Sequence, residues 1–186
     1  MSEHPLSAIP EIRKLWRCDT PDVAEHLLRL DPHTRRSRFG AVVKDDFIEQ
    51  YAEGIIAFDT VVFGAFFDGQ LRAIGELRGM PQSWPRHAEL SLSVEPDWQG
   101  KGIGSTLFSR LIEASQNRGI RSLHVLFLSE NKKMQSIAGK YHPETNLNDG
   151  QIEAALEPPW ATPMSFAREM LADANACIRR CLLVAT

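Results

Sequence analysis

The sequence predicts an α/β fold, a mixed β-sheet flanked by helices. Three observations predict it. Between Ala88 and Tyr141 the chain reads as strand, glycine-rich loop, helix, strand, helix. Asp68-Gly69 and Asn148-Asp149-Gly150 each separate two strand-like runs, which is hairpin chemistry. Segments with apolar residues at helical spacing surround these strands.

Composition narrows the classes. The 186 residues suit one domain with a real core, and 43% hydrophobic with 24% charged residues is the balance of a globular protein. A net charge of −3 argues against nucleic-acid binding. No apolar run reaches the ~20 residues of a membrane helix, so no membrane partner is expected. Met1-Ser2-Glu3-His4-Pro5 lacks a signal-peptide pattern. Cys18, Cys177 and Cys181 are odd in number and form no disulfide framework, so a reduced, cytoplasmic protein is expected. Cys177 and Cys181 stand one helical turn apart, but no further ligand is spaced near them. They read as apolar packing, and no metal is expected.

In chain order, Ile12–Cys18 reads as a first strand. Thr20-Pro21-Asp22 starts a helix that runs to Leu30 and buries Val23, Leu27 and Leu30. Pro32–Phe39 carries Arg35, Arg36 and Arg38. This cluster either touches an acidic substrate or partner or, as is more common, forms a solvated helix face. Lys44–Gly54 is helical, with Phe47, Ile48 and Tyr51 at core spacing. Thr60–Phe67 and Gln70–Arg78 form the first hairpin, and the first of these strands reads as buried on both faces. Gly79–His87 is a loop with two prolines. Glu89–Val94 alternates Leu90, Leu92 and Val94 with polar residues, as a strand does. After the loop Glu95–Gly104 a helix runs to about Asn117, stopped by Gly119. Ser122–Leu128 is nearly all apolar and reads as a strand buried on both faces. Lys132–Tyr141 is a helix, and Thr145–Leu147 with Gln151–Leu156 closes the sheet as a hairpin. A last helix starts at Thr162-Pro163 and reaches about Leu183, with Ala167, Met170, Leu171, Ala174, Cys177, Ile178 and Cys181 as its apolar stripe. That helix either packs back on its own domain or makes a dimer or partner contact.

The loop Gln99-Gly100-Lys101-Gly102-Ile103-Gly104 carries the chemistry. Three alternate glycines turn backbone N–H groups toward one point, and the helix start adds unpaired N–H groups and a positive dipole end. The result is a cradle for a phosphate or pyrophosphate, with Lys101 as a point charge. A tight turn without a ligand is the plainer reading. A dinucleotide fingerprint is another, with Glu130 near the place of its ribose acid, but its third glycine would fall at Ser105. A Walker loop is absent, because no Gly-Lys-Ser/Thr closes the run.

The loop resembles the signature of the GNAT superfamily of acyl-CoA-dependent N-acetyltransferases, Gln/Arg-x-x-Gly-x-Gly/Ala between a strand and a helix. Val94-Glu95-Pro96-Asp97-Trp98 resembles the family's approach to it. A second motif, Asn131-x-x-Met134-x-x-Ile137-Ala138-x-Lys140, falls where the family has one, straight after the next strand. The resemblance covers about residues 10–157 and is firmest over 88–141; residues 158–186 form a C-terminal helical extension. It implies the GNAT fold, with a splayed sheet, and acetyl-CoA as co-substrate. It assigns Leu92, Ser93 and Val94 to the pantetheine arm, a backbone N–H near Val94 to the thioester carbonyl, and Gln99, Gly100, Lys101, Gly102, Ile103, Gly104 and Ser105 to the pyrophosphate. Asn131 caps its helix and, by the resemblance, also reaches the pantetheine.

The implied acceptor is an amine, a protein lysine or a small molecule. Amide formation needs a neutral nitrogen, and a carboxylate on a central strand can take its proton. Glu89 stands where protein-lysine acetyltransferases of the superfamily often carry a catalytic glutamate; Glu76, inside the neighbouring strand, is the helper or alternative. The chain departs from the family in having Ala138 where a proton-donating tyrosine is common, and His142-Pro143 where Gly-Phe is usual. Tyr141 reads as core rather than as the donor. Glu89 and Ala138 together lean toward a protein-lysine acceptor. The missing tyrosine also admits an acyl-CoA-binding regulatory module without turnover.

Overall fold

The computed structural model describes residues 10–80 and 86–184, with side chains up to 174 and that of Ala176. Its elements are β1 (Glu11–Lys14), α1 (Thr20–Arg29), α2 (Pro32–Phe39), α3 (Asp45–Gly54), β2 (Thr60–Phe67), β3 (Gln70–Gly79), β4 (His87–Val94), α4 (Ile103–Asn117), β5 (Ser122–Leu128), α5 (Lys132–Gly139), β6 (Glu144–Asn148), β7 (Gln151–Leu156) and α6 (Pro163–Val184).

Seven strands form one sheet in the order β1-β2-β3-β4-β5-β7-β6. Every neighbouring pair is antiparallel except β4 and β5, so the sheet is mixed as the sequence predicts. The β2–β3 turn has positive φ at both Asp68 and Gly69, the conformation that follows the right-handed twist of its strands.

The parallel pair positions the site. β4 and β5 are in register only from His87–Ser122 to Leu90–Val125. Beyond Leu90, Ser91–Val94 have no partner on β5, which pairs with β7 as far as Leu128. The sheet therefore splays here and exposes a strand edge inside the molecule.

Each face of the sheet carries a core. On one, α4 buries Leu107, Phe108 and Leu111 against Leu77, Leu90 and Leu123. On the other, α1 and α3 bury Val23, Leu27, Ile48 and Ala52 against Val62 and Ile74. β2 is buried along both faces, as expected.

Four expectations change. The first strand ends at Lys14 because Asp19 gathers the chain: its carboxylate accepts from Arg13 at 2.9 and 3.0 Å and from the Trp16 N–H at 2.8 Å. A short 3-10 turn over Arg17–Asp19 replaces the strand's end and leaves Cys18 exposed. β5 is not buried on both faces, because the splay exposes Leu126 at 52%. Tyr141 lies past α5, partly exposed, with its ring 5.0 Å from that of Phe108.

The fourth change concerns α6. It packs back on α4 and β1, but the described part of the expected stripe does not face that contact. Met170 and Leu171 are 72% and 66% exposed, and Ala167 and Ala174 are exposed too. The buried side is Ser165 and Ala176, with polar anchors beside them: Asn117 Nδ2 donates to the Glu169 carboxylate at 2.6 Å and to the Ser165 carbonyl at 3.2 Å. Lys14 pairs with Asp173 at 3.3 Å. Cys177, Ile178 and Cys181, read as part of the stripe, lie outside the described side chains, as do residues 81–85 of the proline loop.

Candidate active site

Two adjoining cavities open where β4 and β5 part. The larger, about 650 Å³, lies between the end of β4, the glycine loop, the start of α5 and the outer side of α2. The smaller, about 220 Å³, lies under α2 and α3 against β3, β4 and β5. Ser37 and Arg38 of α2 line both, so the two cavities are neighbours with these residues between them.

The larger cavity is built from backbone. Gly100 and Gly102 have φ of +75° and +83°, left-handed conformations in which a side chain would be strained. No heavy atom lies within 4 Å of where a Cβ would stand at either, so conformation rather than crowding selects glycine. Gly104 is different: a Cβ there would lie 3.1 Å from Ile137 Cδ1, so this glycine lets α4 approach α5. The Thr106 N–H closes the first turn of α4 on the Gly102 carbonyl at 3.0 Å. The amides before it start the helix without a carbonyl four residues back and carry its positive dipole end.

Side chains complete the wall. Lys132, Lys133 and His33 bring positive or protonatable groups to the cavity. Asn131 caps α5, its Oδ1 accepting from the Met134 N–H at 3.0 Å, and it also lines the cavity. Gln99 braces the loop: its Nε2 donates to the Val94 carbonyl at 2.9 Å and its Oε1 accepts from Lys133 at 2.6 Å. Leu92, Ser93 and Val94 present the unpaired edge of β4.

The smaller cavity is built from charge. Glu76 and Ser91 are register partners, as are Arg78 and Glu89, so all four share one face of the sheet. Glu76 is 2% exposed and held on both oxygens. Oε2 accepts from Arg38 at 2.6 Å and from the Tyr51 hydroxyl, and Oε1 accepts from Arg78 at 2.8 and 3.0 Å. Burial, with Glu76 alongside, pushes the Tyr51 phenol up to about 12, so Tyr51 stays a donor. Burial alone would lower Arg78, but Glu76, with smaller contributions from Tyr51 and Glu89, outweighs it and raises its pKa. Glu89 also lines this cavity but is exposed.

Behind β4 lies a buried polar knot. His26, fully buried on α1, reaches Ser93 Oγ at 2.9 Å through Nε2 and Glu95 at 3.3 Å through Nδ1. Glu95 also accepts from Arg29 at 3.0 Å and Arg72 at 2.8 Å. Burial alone would raise the Glu95 carboxyl, but the hydrogen bonds from His26, Arg72 and Arg29 outweigh it and hold it down at about 2. Burial pushes the His26 pKa below its ordinary value.

A family model described as the Acetyltransferase (GNAT) family matches residues 10–140. The chain belongs to the GNAT family. It is an acyl-CoA-dependent N-acetyltransferase with acetyl-CoA as co-substrate, and its sheet is the mixed, splayed sheet of the GNAT fold. Among curated proteins it is similar to Acetyltransferase PA5475 of Pseudomonas aeruginosa strain PAO1, 26% identical over 133 residues, 68% of this chain and 70% of that one. Among solved structures it is similar to the GNAT domain of S. lividans PAT, with a TM-score of 0.68 and 19% identity over 80% of this chain and 90% of that chain. Another is yncA from Salmonella typhimurium, solved with its cofactor acetyl-CoA, with a TM-score of 0.63 and 16% identity over 83% and 97% of the two chains. At these identities the solved structures share the fold.

The residues of this GNAT chain fit a pantetheine pyrophosphate: a left-handed glycine pair with open space above it, a helix N-terminus, two lysines and a free strand edge. Of the residues singled out in the sequence, Leu92, Ser93, Val94, Gln99, Gly100, Gly102, Gly104, Ser105 and Asn131 line the larger cavity; Glu76 and Glu89 line the smaller. Two side chains do not reach it. Lys101 places its ammonium 4.6 Å over the Trp98 ring, and Ile103 is buried in the core, leaving only their backbone for the loop. Ala138 is buried, and Tyr141 lines neither cavity.

Sequence reasoning did not single out Ser37, Tyr51 or Arg78 of the far wall, nor the cations Lys132 and Lys133, and it left Arg38 within a cluster that either touches an acidic partner or forms a solvated face. The arginine run of α2 was readable as a solvated face. Instead Arg38 is 7% exposed on Glu76, and Arg35 donates to the Leu28 carbonyl and pairs with Asp45 at 2.6 Å.

Proposed function

We propose that this chain acetylates a primary amine by direct transfer, with Glu89 as the general base. One observation supports the reading: the exposed Glu89 lines a small cavity that shares Ser37 and Arg38 with the larger cavity of the glycine loop, where the reading puts the acyl-CoA.

Acetyl-CoA supplies an activated acetyl thioester. The glycine loop and α4 N-terminus hold its pyrophosphate, and the open edge of Leu92–Val94 aligns its arm as an added strand. A backbone N–H near Val94 polarises the thioester carbonyl. Glu89 takes a proton from the acceptor ammonium and frees the nitrogen lone pair. The new C–N bond then forms as the C–S bond breaks, and the sulfur leaves with the bonding pair. Ala138 offers no proton donor, so the second proton, which the nitrogen loses as the amide forms, passes through water to the leaving thiolate and converts it to a thiol. Glu76, with both oxygens engaged by Arg38, Tyr51 and Arg78, supports the wall of the acceptor site.

The test is a thiol-release assay with acetyl-CoA and a panel of small amines, amino acids and lysine peptides, products checked by mass spectrometry. The reading expects CoA release that depends on an amine and one acetyl group added to it. Release that is the same with and without every amine would contradict it.

A further inference from the structure

The acceptor cavity contains matched charges that are not matched to one another. Arg38 and Arg78 bring two positive charges, and Glu76 and Glu89 two negative. Both arginines turn to Glu76. Glu89 stands across the register from Arg78 on the same face, yet among the described ion pairs Arg78 meets Glu76 and not Glu89. One carboxylate thus holds two guanidiniums in ion pairs, while the second, near enough for its charge to act on Arg78, makes no ion pair with either among the described ones. The guanidiniums keep unused capacity. Arg38 lies at the junction of the cavities, 93% of its side chain is covered (7% exposed), and its Nε is buried without a hydrogen-bond partner. Arg78 is half exposed beside Glu89 and Ser91.

We propose that the acceptor is a small zwitterion, a primary amine and a carboxylate on one short skeleton, of the amino-acid class. This rests on the acetyl-transfer reading above and names its substrate. The amine goes to Glu89. The carboxylate goes to the unused guanidinium edge of Arg78, with the Arg38 charge behind it. The apolar wall of Phe39, Leu126 and Leu128 takes the side chain.

Charge decides between this and a protein lysine. Two arginines and two glutamates sum to zero. A zwitterion leaves the cavity neutral, with each of its ends opposite its counter-charge. A lysine side chain brings only a cation, leaves the surplus guanidinium unanswered and makes the cavity net positive, a cost in a partly desolvated site. Size agrees: about 220 Å³ is below the ~300–1,000 Å³ of sites for drug-sized ligands.

The experiment compares kcat/KM of the wild-type protein for free L-amino acids, for the same amino acids as C-terminal amides, for the matching decarboxylated amines, and for a lysine peptide. The amides have the more neutral amine at a given pH, so the comparison is biased against the proposal. Free acids are expected to exceed their amides and amines by at least about a hundredfold, because a site built for a polar group rejects the analogue lacking it. In Arg78→Gln that ratio is expected to narrow at least tenfold, with Arg78→Lys in between. The wild-type comparison stands alone if Arg78→Gln does not fold. Amides, amines or the lysine peptide used as well as the acids would overturn the zwitterion and leave acetyl transfer standing. No amine of any kind acetylated, with acetyl-CoA bound, would overturn both.

Discussion

At the scale of single residues, the site depends on left-handed backbone conformations that glycine adopts without strain. Gly102 has φ of +83° at the start of α4, with open space around it. Gly102→Ala meets no clash, so its cost is conformational, about 1–2 kcal/mol. Thermal melting should show that loss, and calorimetry should show weaker acetyl-CoA binding, because the cradle amides turn with the loop. A variant equal to the wild type in both would mean the loop is an ordinary turn. This part of the site was legible in the sequence because the signal is local: glycines at fixed spacing between a strand and a helix. Arg38 was not. Its role depends on Glu76, 38 positions away, and a run of arginines on a short helix carries no mark of which one turns inward.

At the scale of elements, the His26–Glu95 knot fastens α1 to the end of β4, with Arg29 and Arg72 as its outer links. Its effect on stability has a definite sign. Glu95 titrates at about 2 in the folded chain against an ordinary 4.5, so its contribution is full above about 4.5 and is lost as pH falls toward 2. His26 is depressed below 6.5, so the unfolded chain takes up a proton first, and stability begins to fall as pH drops below about 6.5. Both act in the same direction. The melting temperature should decline steadily on acidification from about pH 6.5, and Glu95→Gln should flatten the part below about pH 4.5. A wild-type melting temperature constant down to pH 3 would contradict the assignment.

The last helix shows the limit of periodicity at this scale. Its apolar stripe marked a helix, and α6 is one, but among the described side chains the stripe residues Ala167, Met170, Leu171 and Ala174 lie off the docking face. The buried contact is Ser165 and Ala176 with Asn117, Glu169 and Arg118 around them. Asn117→Ala should therefore cost about 1–3 kcal/mol, since it removes the hydrogen bonds of Asn117 to the Ser165 carbonyl, the Ser165 hydroxyl and Glu169, which keeps only Arg118. Met170→Glu, on the exposed side, should stay within about 0.5 kcal/mol. The reverse order in chemical denaturation would place the docking face on the apolar stripe.

At the scale of the whole molecule, function follows from one discontinuity in the sheet. Pairing of β4 with β5 stops at Leu90, and from there β4 offers an open edge toward one cavity while Glu89 and Ser91 face the other. The strands along the chain, the hairpins and the glycine loop were legible because each has a short-range sequence signal. The splay entered through the family resemblance, since no local pattern says where a parallel pair parts. Which residues of α2 and α3 line the smaller cavity was the least legible part, because they meet only after the chain has folded across the sheet. The central claim is that acyl-CoA binding and amine deprotonation are separate tasks of the two cavities. It is tested most directly by Glu89→Gln, comparing acetyl-CoA affinity by calorimetry with acetylated product by mass spectrometry. The account predicts unchanged affinity and a loss of about 10²–10⁴-fold in turnover; turnover equal to the wild type would contradict it.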